Sequence, residues 1–535
     1  MTHEPLFQSS IRAAGLNPYL FEMANIRNHC SWVHSDEWDN ATQKAKELVR
    51  MAVARAAELQ PLHTTPMPTQ KTAVVIGGGV AGMTASLSLA GQGFPVHLVE
   101  RSNTLGGNLR NLHYSLADVG FGQSLPQANG AGDSGLGEYL AHLIHQVTTN
   151  SLITLHLETE LAETEGFMGS FTSTLVPVGD GNRPGLEVSH GATIVATGGV
   201  EYRGDEYGYG ADPRILTQQE FEALLAGWYA SQQGDGAIGQ RGRGATSGAV
   251  SPLPNSVAMI LCVGPAEQYC SRICCTTAMK NVLMLKQLNP EAEVTVIYRD
   301  IRTYGFKERL YTEAREAGVL FVHYDFDGKP EIIDENGDLT VRVWEEVLGK
   351  DLELKPDLLV LSTPVVPPEG SRELATRLKV SQDMEGFFLE AHVKLRPVDF
   401  SSDGIFMAGM AHYPKLLDET IVQAQAAAAR AATLLAQDTI ETGGRVAVVD
   451  ETLCVGCLTC VRTCPYDAPR IVANLTGVGN ILGAAQVETA ICHGCGSCAA
   501  ACPAKAIELM HYKDSQVLAK VDALFAPESV FQGLD

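Results

Sequence analysis

Near its C-terminal end the chain writes one cysteine run twice: Cys454-Val-Gly-Cys457-Leu-Thr-Cys460-Val-Arg-Thr-Cys464-Pro465 and Cys492-His-Gly-Cys495-Gly-Ser-Cys498-Ala-Ala-Ala-Cys502-Pro503. No other feature narrows the possible folds as far. In a C-x2-C-x2-C-x3-C-P run the first three thiolates wrap one cubane and the fourth crosses to the other. The pattern therefore assigns Cys454, Cys457, Cys460 and Cys502 to one [4Fe–4S] cluster, and Cys492, Cys495, Cys498 and Cys464 to a second. Zinc sites space their ligand pairs more widely, and disulfides would not require two matching halves. Such a module carries electrons one at a time, so the rest of the sequence must supply their source and destination.

At 535 residues the chain has room for three or four domains of about 150 residues. Its net charge of −23 argues against nucleic acid or an anionic membrane surface as partner. No signal peptide opens the chain, and no run approaches about 18 apolar residues without a charge, so no membrane insertion is expected. Of 13 cysteines all but Cys30 fall in groups with metal-ligand spacing. Reduced thiols at that density imply a reducing, oxygen-poor cytoplasm.

A buried strand, Thr72-Ala-Val-Val-Ile76, runs straight into Gly77-Gly-Gly79-Val-Ala81-Gly82, with a helix expected through Met83–Leu89. This is G-x-G-x-x-G in its full setting: glycines allow a tight turn and close approach of a pyrophosphate to the helix N-terminus. The next strand, Pro95–Glu100, ends in an acid placed for a ribose hydroxyl, with Arg101 after it. Downstream, Leu105-Gly-Gly107-Asn108, the strand-then-turn Gly191-Ala-Thr-Ile-Val-Ala196-Thr197-Gly198-Gly199, and Gly404-Ile-Phe-Met-Ala-Gly409-Met410 leading into a helix near Glu419 that carries Gln423 resemble flavoproteins of the thioredoxin reductase type. The resemblance covers residues 70–440 and implies FAD. Gly122–Gly137 reads as a long loop and Gln232–Pro254 as a flexible linker.

Where such enzymes hold a second dinucleotide domain, this chain departs. Strands Ser256–Leu261 and Glu293–Tyr298 are present, but no glycine turn follows the first. Cys262-Val-Gly-Pro-Ala-Glu-Gln-Tyr-Cys270-Ser-Arg-Ile-Cys274-Cys275 stands there instead. Its thiols suit a third [4Fe–4S] cluster, a redox dithiol at the vicinal pair, or inert buried cysteines. A continuous helix would put Cys270 and Cys274 on one face and Cys275 about 100° away, so a cluster would also need Cys262. A helix is expected over Thr276–Leu288.

The domain plan reads as a short helical N-terminal segment (1–66), the first part of an FAD domain (67–250), and an inserted Rossmann-like domain carrying a cluster (251–370). The second part of the FAD domain (371–440), a two-cluster ferredoxin domain (441–515) and a tail (516–535) follow. The fold class is α/β throughout the flavin part. Within the first segment Glu37–Gln60 has helical periodicity stopped by Pro61, and Cys30 by default is a small buried apolar residue. Val446–Val449 reads as a strand and Asp514–Phe525 as a short amphipathic helix.

Asn17-Pro-Tyr-Leu-Phe-Glu-Met-Ala-Asn-Ile-Arg27, Cys30-Ser-Trp-Val-His34, the glycine turn, Tyr269-Cys-Ser-Arg-Ile-Cys-Cys275 and the C-terminal ferredoxin together resemble the flavin-bearing, A-type subunit of heterodisulfide reductase, over nearly the whole chain. The resemblance implies an FAD beside a cluster held by Cys262, Cys270, Cys274 and Cys275, with Lys280 as the catalytic residue approaching the flavin. It implies a cytoplasmic oxidoreductase component that splits an electron pair between ferredoxin and a disulfide-reducing partner. Implied partners are B- and C-type subunits, a donor such as a hydrogenase or formate dehydrogenase, and ferredoxin, in a hetero-oligomeric complex with dimers allowed. An N-terminal domain with further cysteines usually precedes the Thr2-His-Glu-Pro5 segment, so Cys30 is expected either to hold no cluster or to find co-ligands on a separate chain. The extra ferredoxin module of methanogen members has no counterpart in Tyr114–Leu152, which holds no cysteine. Two other readings stay open: an NAD(P)H-dependent iron–sulfur flavoprotein reductase, and a non-catalytic electron wire.

Overall fold

Ala73-Val-Val-Ile76 is buried at all four positions, as a strand covered on both faces must be. A computed structural model describes residues 4–121, 135–179, 185–233, 252–267, 269–335 and 338–526. The chain divides into two compact units, Gln70–Gln437, and Met1–Thr69 together with Asp438–Asp535.

In the larger unit Ala73–Ile76 (β1) leads into helix Val80–Ala90 (α1). Val96–Val99 (β2), Ile153–His156 (β3) and Ala192–Val195 (β4) join β1 in parallel. The chain then builds a second parallel sheet. Ile215–Thr217 (β5) precedes helix Gln218–Gln233 (α2). Ser256–Ile260 (β6) leads to helix Cys274–Leu288 (α3). Glu293–Tyr298 (β7), Leu320–His323 (β8) and Leu358–Leu361 (β9) complete the sheet, in the order β5-β9-β6-β7-β8. Ile405–Met407 (β10) returns beside β4, giving the order β10-β4-β1-β2-β3, and helix Leu417–Leu435 (α4) follows. The two sheets thus share one plan, with β1 and β6 in matching central places. Val200–Glu201 pairs antiparallel with Val365–Val366. The second sheet is packed on one side by a core including Phe221, Leu225, Met279 and Val282, all fully buried.

In the smaller unit Thr64–Pro68 pairs antiparallel with Thr439–Gly443. Helix Trp38–Ala57 packs against helix Asp514–Phe525. Arg55, buried in that contact, ion-pairs with Glu22 and donates to the His511 carbonyl. Ala447–Val449 pairs with Ile507–Leu509, and Pro469–Thr476 with Leu482–Val487. Among the described residues no helix is long and apolar enough to cross a membrane.

The differences from the sequence reading sit at helix ends. α1 begins immediately after Gly79 rather than at Met83, because the turn delivers the chain directly into helical geometry. The helix expected from Glu37 to Gln60 spans Trp38–Ala57. α2 runs to Gln233, just into the segment expected as a linker from Gln232, and residues 234–251 lie outside the described ones. The loop expected over Gly122–Gly137 lies outside the described residues up to 134, and a helix starts at Leu136. Cys270 is not helical: Arg272 has φ 65°, so the chain turns there and α3 starts only at Cys274.

Candidate cluster and flavin sites

In the smaller unit the two cysteine runs fold as matched loops. Gly456 and Gly494 (φ 64° and 65°) precede Cys457 and Cys495, and the left-handed residues Leu458 and Gly496 follow. A Cβ on Gly494 would stand 2.2 Å from the Arg445 carbonyl oxygen, so that loop requires glycine. Helices Thr459–Thr463 and Ser497–Ala501 then pack on each other, which carries each fourth cysteine across to the other loop. Cys464, Cys492, Cys495 and Cys498 line one space of about 310 Å³ that is open to solvent. Cys454, Cys457, Cys460 and Cys502 line another of about 330 Å³. These are the two crossed foursomes that the spacing assigns.

Backbone N–H groups of Ala485, Ala506 and Ala447 point at the sulfurs of Cys454, Cys502 and Cys492 at 3.4, 3.3 and 3.5 Å. The hydroxyls of Thr459 and Ser497 hold the Cys457 and Cys495 thiols below the usual range, while burial pushes Cys498 up to about 11. Donors aimed at sulfur favour the thiolate that a cluster requires. Around the first foursome Val455 and Leu458 are exposed beside the exposed Cys457, so the mouth of that site is apolar.

A third foursome stands in the larger unit. Cys262, Cys270, Cys274 and Cys275 line a space of about 370 Å³ with Leu261, Ser271, Arg299, Asp300 and Arg302. Cys262 follows the end of β6 in left-handed geometry (φ 62°), Cys270 comes from the turn, and Cys274 and Cys275 occupy the first turn of α3. The loop is fixed at both edges: the Val365 N–H donates to Ser271 Oγ at 3.0 Å, and Tyr269 Oη donates to the Val365 carbonyl. Burial raises the Cys262 thiol, raises Cys275 to about 12 and raises Cys274 well above its ordinary value. Two arginines against one aspartate, with the helix N-terminus, give this space the positive surroundings that an anionic cluster needs. The four residues fit a cubane.

The glycine turn after β1 is built for close approach. A Cβ on Gly77 would meet the Ala196 carbonyl oxygen at 2.3 Å, and one on Gly82 the Gly77 oxygen at 1.8 Å. No side chain caps α1 at Gly79, so the amides of its first turn, which includes Ala81 and Gly82, stay directed at incoming negative charge. Gly107 (φ 50°) packs against Gly79. The Glu100 carboxylate accepts from the Gly78 and Ser102 N–H groups at 2.6 and 2.8 Å. Asn108 donates to the Gly199 carbonyl, which ties Gly107-Asn108 to the Ala196-Thr197-Gly198 turn. Thr197 Oγ1 is buried without a hydrogen-bond partner, as a hydroxyl awaiting a ligand would be. Gly409 (φ 70°) lies against Ala81, and Met410 against Gly199. Gln423 on α4 accepts from the Gly409 N–H at 2.9 Å. These groups converge and fit a bound dinucleotide. Arg101 stands apart, exposed and donating to the Glu369 carbonyl at 2.9 Å.

Lys280 is buried, not on the surface. Its Nζ lies 2.8 Å from Glu222 Oε2, donates to the Tyr114 carbonyl at 3.0 Å and sits 4.4 Å from the Tyr114 ring centre. Glu222 on α2 was invisible as a partner in sequence, because nothing links two helices 58 residues apart except the fold. Cys30 is buried and its thiol donates to the Ala41 carbonyl at 2.8 Å, a small core residue in its present surroundings.

Sequence reasoning also missed the groups behind Gly409. Gln423 Nε2 meets His412 Nδ1 at 2.7 Å, and His412 Nε2 meets Glu390 Oε2 at 2.8 Å. Because Gln423 spends its oxygen on Gly409, its amide must donate to Nδ1, so the imidazole proton sits on Nε2 and faces the carboxylate. Burial lowers the His412 pKa to about 4 and keeps the ring neutral. Lys415 Nζ donates to the Gly409 carbonyl at 2.6 Å. Arg272, from the third cysteine loop, lies 4.8 Å from the Tyr413 ring and 5.5 Å from that of Tyr304.

Known proteins share both halves of this arrangement. Residues 75–149 match the NAD(P)-binding Rossmann-like domain family, and residues 447–470 and 485–508 the 4Fe-4S binding domain family. The A-type subunit of the H(2):CoB-CoM heterodisulfide,ferredoxin reductase of Methanothermobacter marburgensis is 33% identical over 97% of this chain and 86% of that protein. An A-type iron-sulfur subunit of the CoB–CoM heterodisulfide reductase of Methanopyrus kandleri is 34% identical over 88% of this chain and 80% of its own length. Among solved structures, Lactococcus lactis thioredoxin reductase covers 69% of this chain and 99% of that one, with 17% identity and a TM-score of 0.45.

Proposed function

The chain belongs to the family of A-type heterodisulfide reductase subunits, which are oxidoreductases, and on that footing we propose that it is the flavin-bearing electron-transfer component of a heterodisulfide reductase-like complex. It passes electrons between a donor partner, ferredoxin and an acceptor subunit, and splits a pair of electrons between two acceptors. The observation that carries this is the placing of the third foursome. β6 ends in cysteines where the matching strand β1 ends in its glycine turn. The cysteine loop bonds to Val365, whose side chain a Cβ on Gly199 would meet at 2.6 Å. A cluster loop and a flavin turn that share a contact residue suit electron transfer between them.

Gly77, Gly79, Ala81, Gly82, Glu100, Gly107, Asn108, Ala196, Thr197, Gly198, Gly409, Met410 and Gln423 would hold FAD, with Arg101 at the edge. The twelve clustered cysteines would hold three [4Fe–4S] cubanes. FAD supplies a two-electron carrier and the clusters one-electron carriers. The protein's part is to fix the loops and to supply charge: Tyr269 and Ser271 clamp the cysteine turn, Arg299 and Arg302 face the sulfurs, and Asn108 holds the flavin turn closed. Lys280 acts with Glu222 as a pair bearing on the flavin side. Ferredoxin appears in the relatives' names and is proposed as one acceptor. B- and C-type subunits, a hydrogenase or formate dehydrogenase donor and a cytoplasmic location complete the proposal.

Stepwise photoreduction of the full chain under anaerobic conditions tests it. Flavin reduction with widely separated one-electron steps, followed by electron delivery to added ferredoxin, is the expected course. A flavin that takes its electrons in one unsplit step and leaves ferredoxin oxidised would return the chain to a passive wire.

A further inference from the structure

Two lysines are buried in the larger unit, and they differ in one respect. Lys280 has a carboxylate 2.8 Å away, so its charge is cancelled where it stands. Lys415 is 4% exposed, and among the described residues no carboxylate lies within ion-pair distance of it. Of its three N–H groups one donates to the Gly409 carbonyl at 2.6 Å, and the ammonium rests 3.8 Å from the Tyr413 ring centre. A charge taken out of water without a counter-charge is costly. Glu419 and Glu390 offset it only in part, from beyond ion-pair distance. Arg272 adds positive charge nearby, while Glu419 is engaged by the Tyr304 hydroxyl at 2.7 Å and the Leu416 N–H at 3.0 Å. Glu390 is held by His412 at 2.8 Å. Among the described residues the only backbone group that Lys415 holds belongs to Gly409, whose Cα packs on Ala81 in the first turn of α1. Thr197 Oγ1, in the turn that meets Met410 through Gly199, is also buried without a partner.

We infer that Lys415 is the counter-charge for an anionic group of the bound FAD, a partner at ion-pair distance that no carboxylate among the described residues supplies. The inference rests on reading the site as an FAD site. FAD offers two such groups: the pyrophosphate, which is anionic in both redox states, and the isoalloxazine ring, which gains negative charge on reduction. An ammonium beside the first tightens both redox states equally; beside the second it tightens the reduced state. Burial lowers the Lys415 pKa to about 7, with Glu419 and Glu390 opposing the shift and Arg272 adding to it, and an adjacent anion would restore it to the charged form.

The test uses the full chain purified with its FAD and iron, as wild type, Lys415→Met and Lys415→Arg. Lys415→Gln, which can still donate to Gly409, stands in if the methionine variant does not fold. Equilibrium titration gives FAD affinity, and spectroelectrochemistry gives the flavin potential. A tenfold or greater loss of affinity confined to reduced FAD, equivalent to a potential about 30 mV more negative for a two-electron couple, supports the inference and assigns the ring. An equal tenfold loss in both states supports it and assigns the pyrophosphate. Lys415→Arg should stay within about threefold of wild type in either case. If Lys415→Met or Lys415→Gln binds oxidised and reduced FAD as the wild type does, the inference is overturned. A wild-type chain that binds no FAD would instead refute the reading of the site itself.

Discussion

At the scale of single residues the molecule keeps several ionisable groups buried, and each makes its own demand. Lys280 and Glu222 form a pair whose members are 7% and 1% exposed. Removing one partner leaves the other charged in a dry site, at a cost of about 3–5 kcal/mol. Lys280→Met should therefore lower unfolding free energy by that order in urea titration, and Lys280→Met with Glu222→Leu should recover most of it. A double variant no more stable than the single one would mean that the pair is not coupled. The Lys280→Met flavin potential should also move negative. His190 and His412 set the acid response. Burial lowers both to about 4, from an ordinary value near 6.5. As pH falls from about 6.5 to about 4 the unfolded chain takes up protons that these two folded rings refuse, and His97, His113 and His156 are lowered in the same sense, so stability drops through that window. The loss is of order 3 kcal/mol for each ring. Urea midpoints at pH 7 and pH 5 measure it, and His190→Gln should make the slope shallower without abolishing it. In a sequence one lysine looks like another, and only the fold separates Lys280, which has an acid at ion-pair distance, from Lys415, which among the described residues has none there.

At the scale of elements the legible parts were those whose geometry is dictated locally. The cysteine spacing fixed which four sulfurs meet, because short loops and two five-residue helices leave little freedom between them. The glycine turn was legible for the same reason: a Cβ at Gly82 has nowhere to go. Gly82→Ala should accordingly expel FAD while leaving the iron of Cys454–Cys502 in place, about eight atoms per chain. Retention of FAD at wild-type stoichiometry would show that the turn yields. The turn at Cys270 was not legible. Helical spacing between Cys270 and Cys274 suggested one face of a helix, yet Arg272 takes φ 65° and is held between Tyr304 and Tyr413. Those rings are distant in sequence and override local preference. The hydrogen-bonded line from Gly409 through Gln423 and His412 to Glu390 was hidden likewise, since it joins three separate segments.

At the scale of the whole molecule one kind of site stands where another would be. Two sheets of one plan stand in the larger unit; the first keeps its dinucleotide turn and the second carries four thiols at the same place. A nicotinamide nucleotide has no glycine turn to enter there, so mixing NADH or NADPH with the anaerobic chain in a stopped-flow should leave the flavin oxidised. Bleaching at a catalytic rate would favour the reductase reading. The thiols of Cys262, Cys270, Cys274 and Cys275 are proposed to hold a third cubane beside the flavin turn. Iron and FAD counted on the anaerobically reconstituted full chain, as wild type and as Cys274→Ala, test it most directly. About 12 iron atoms per FAD are expected in the wild type and about eight in the variant, with FAD retained in both; about eight in both would contradict a third cubane.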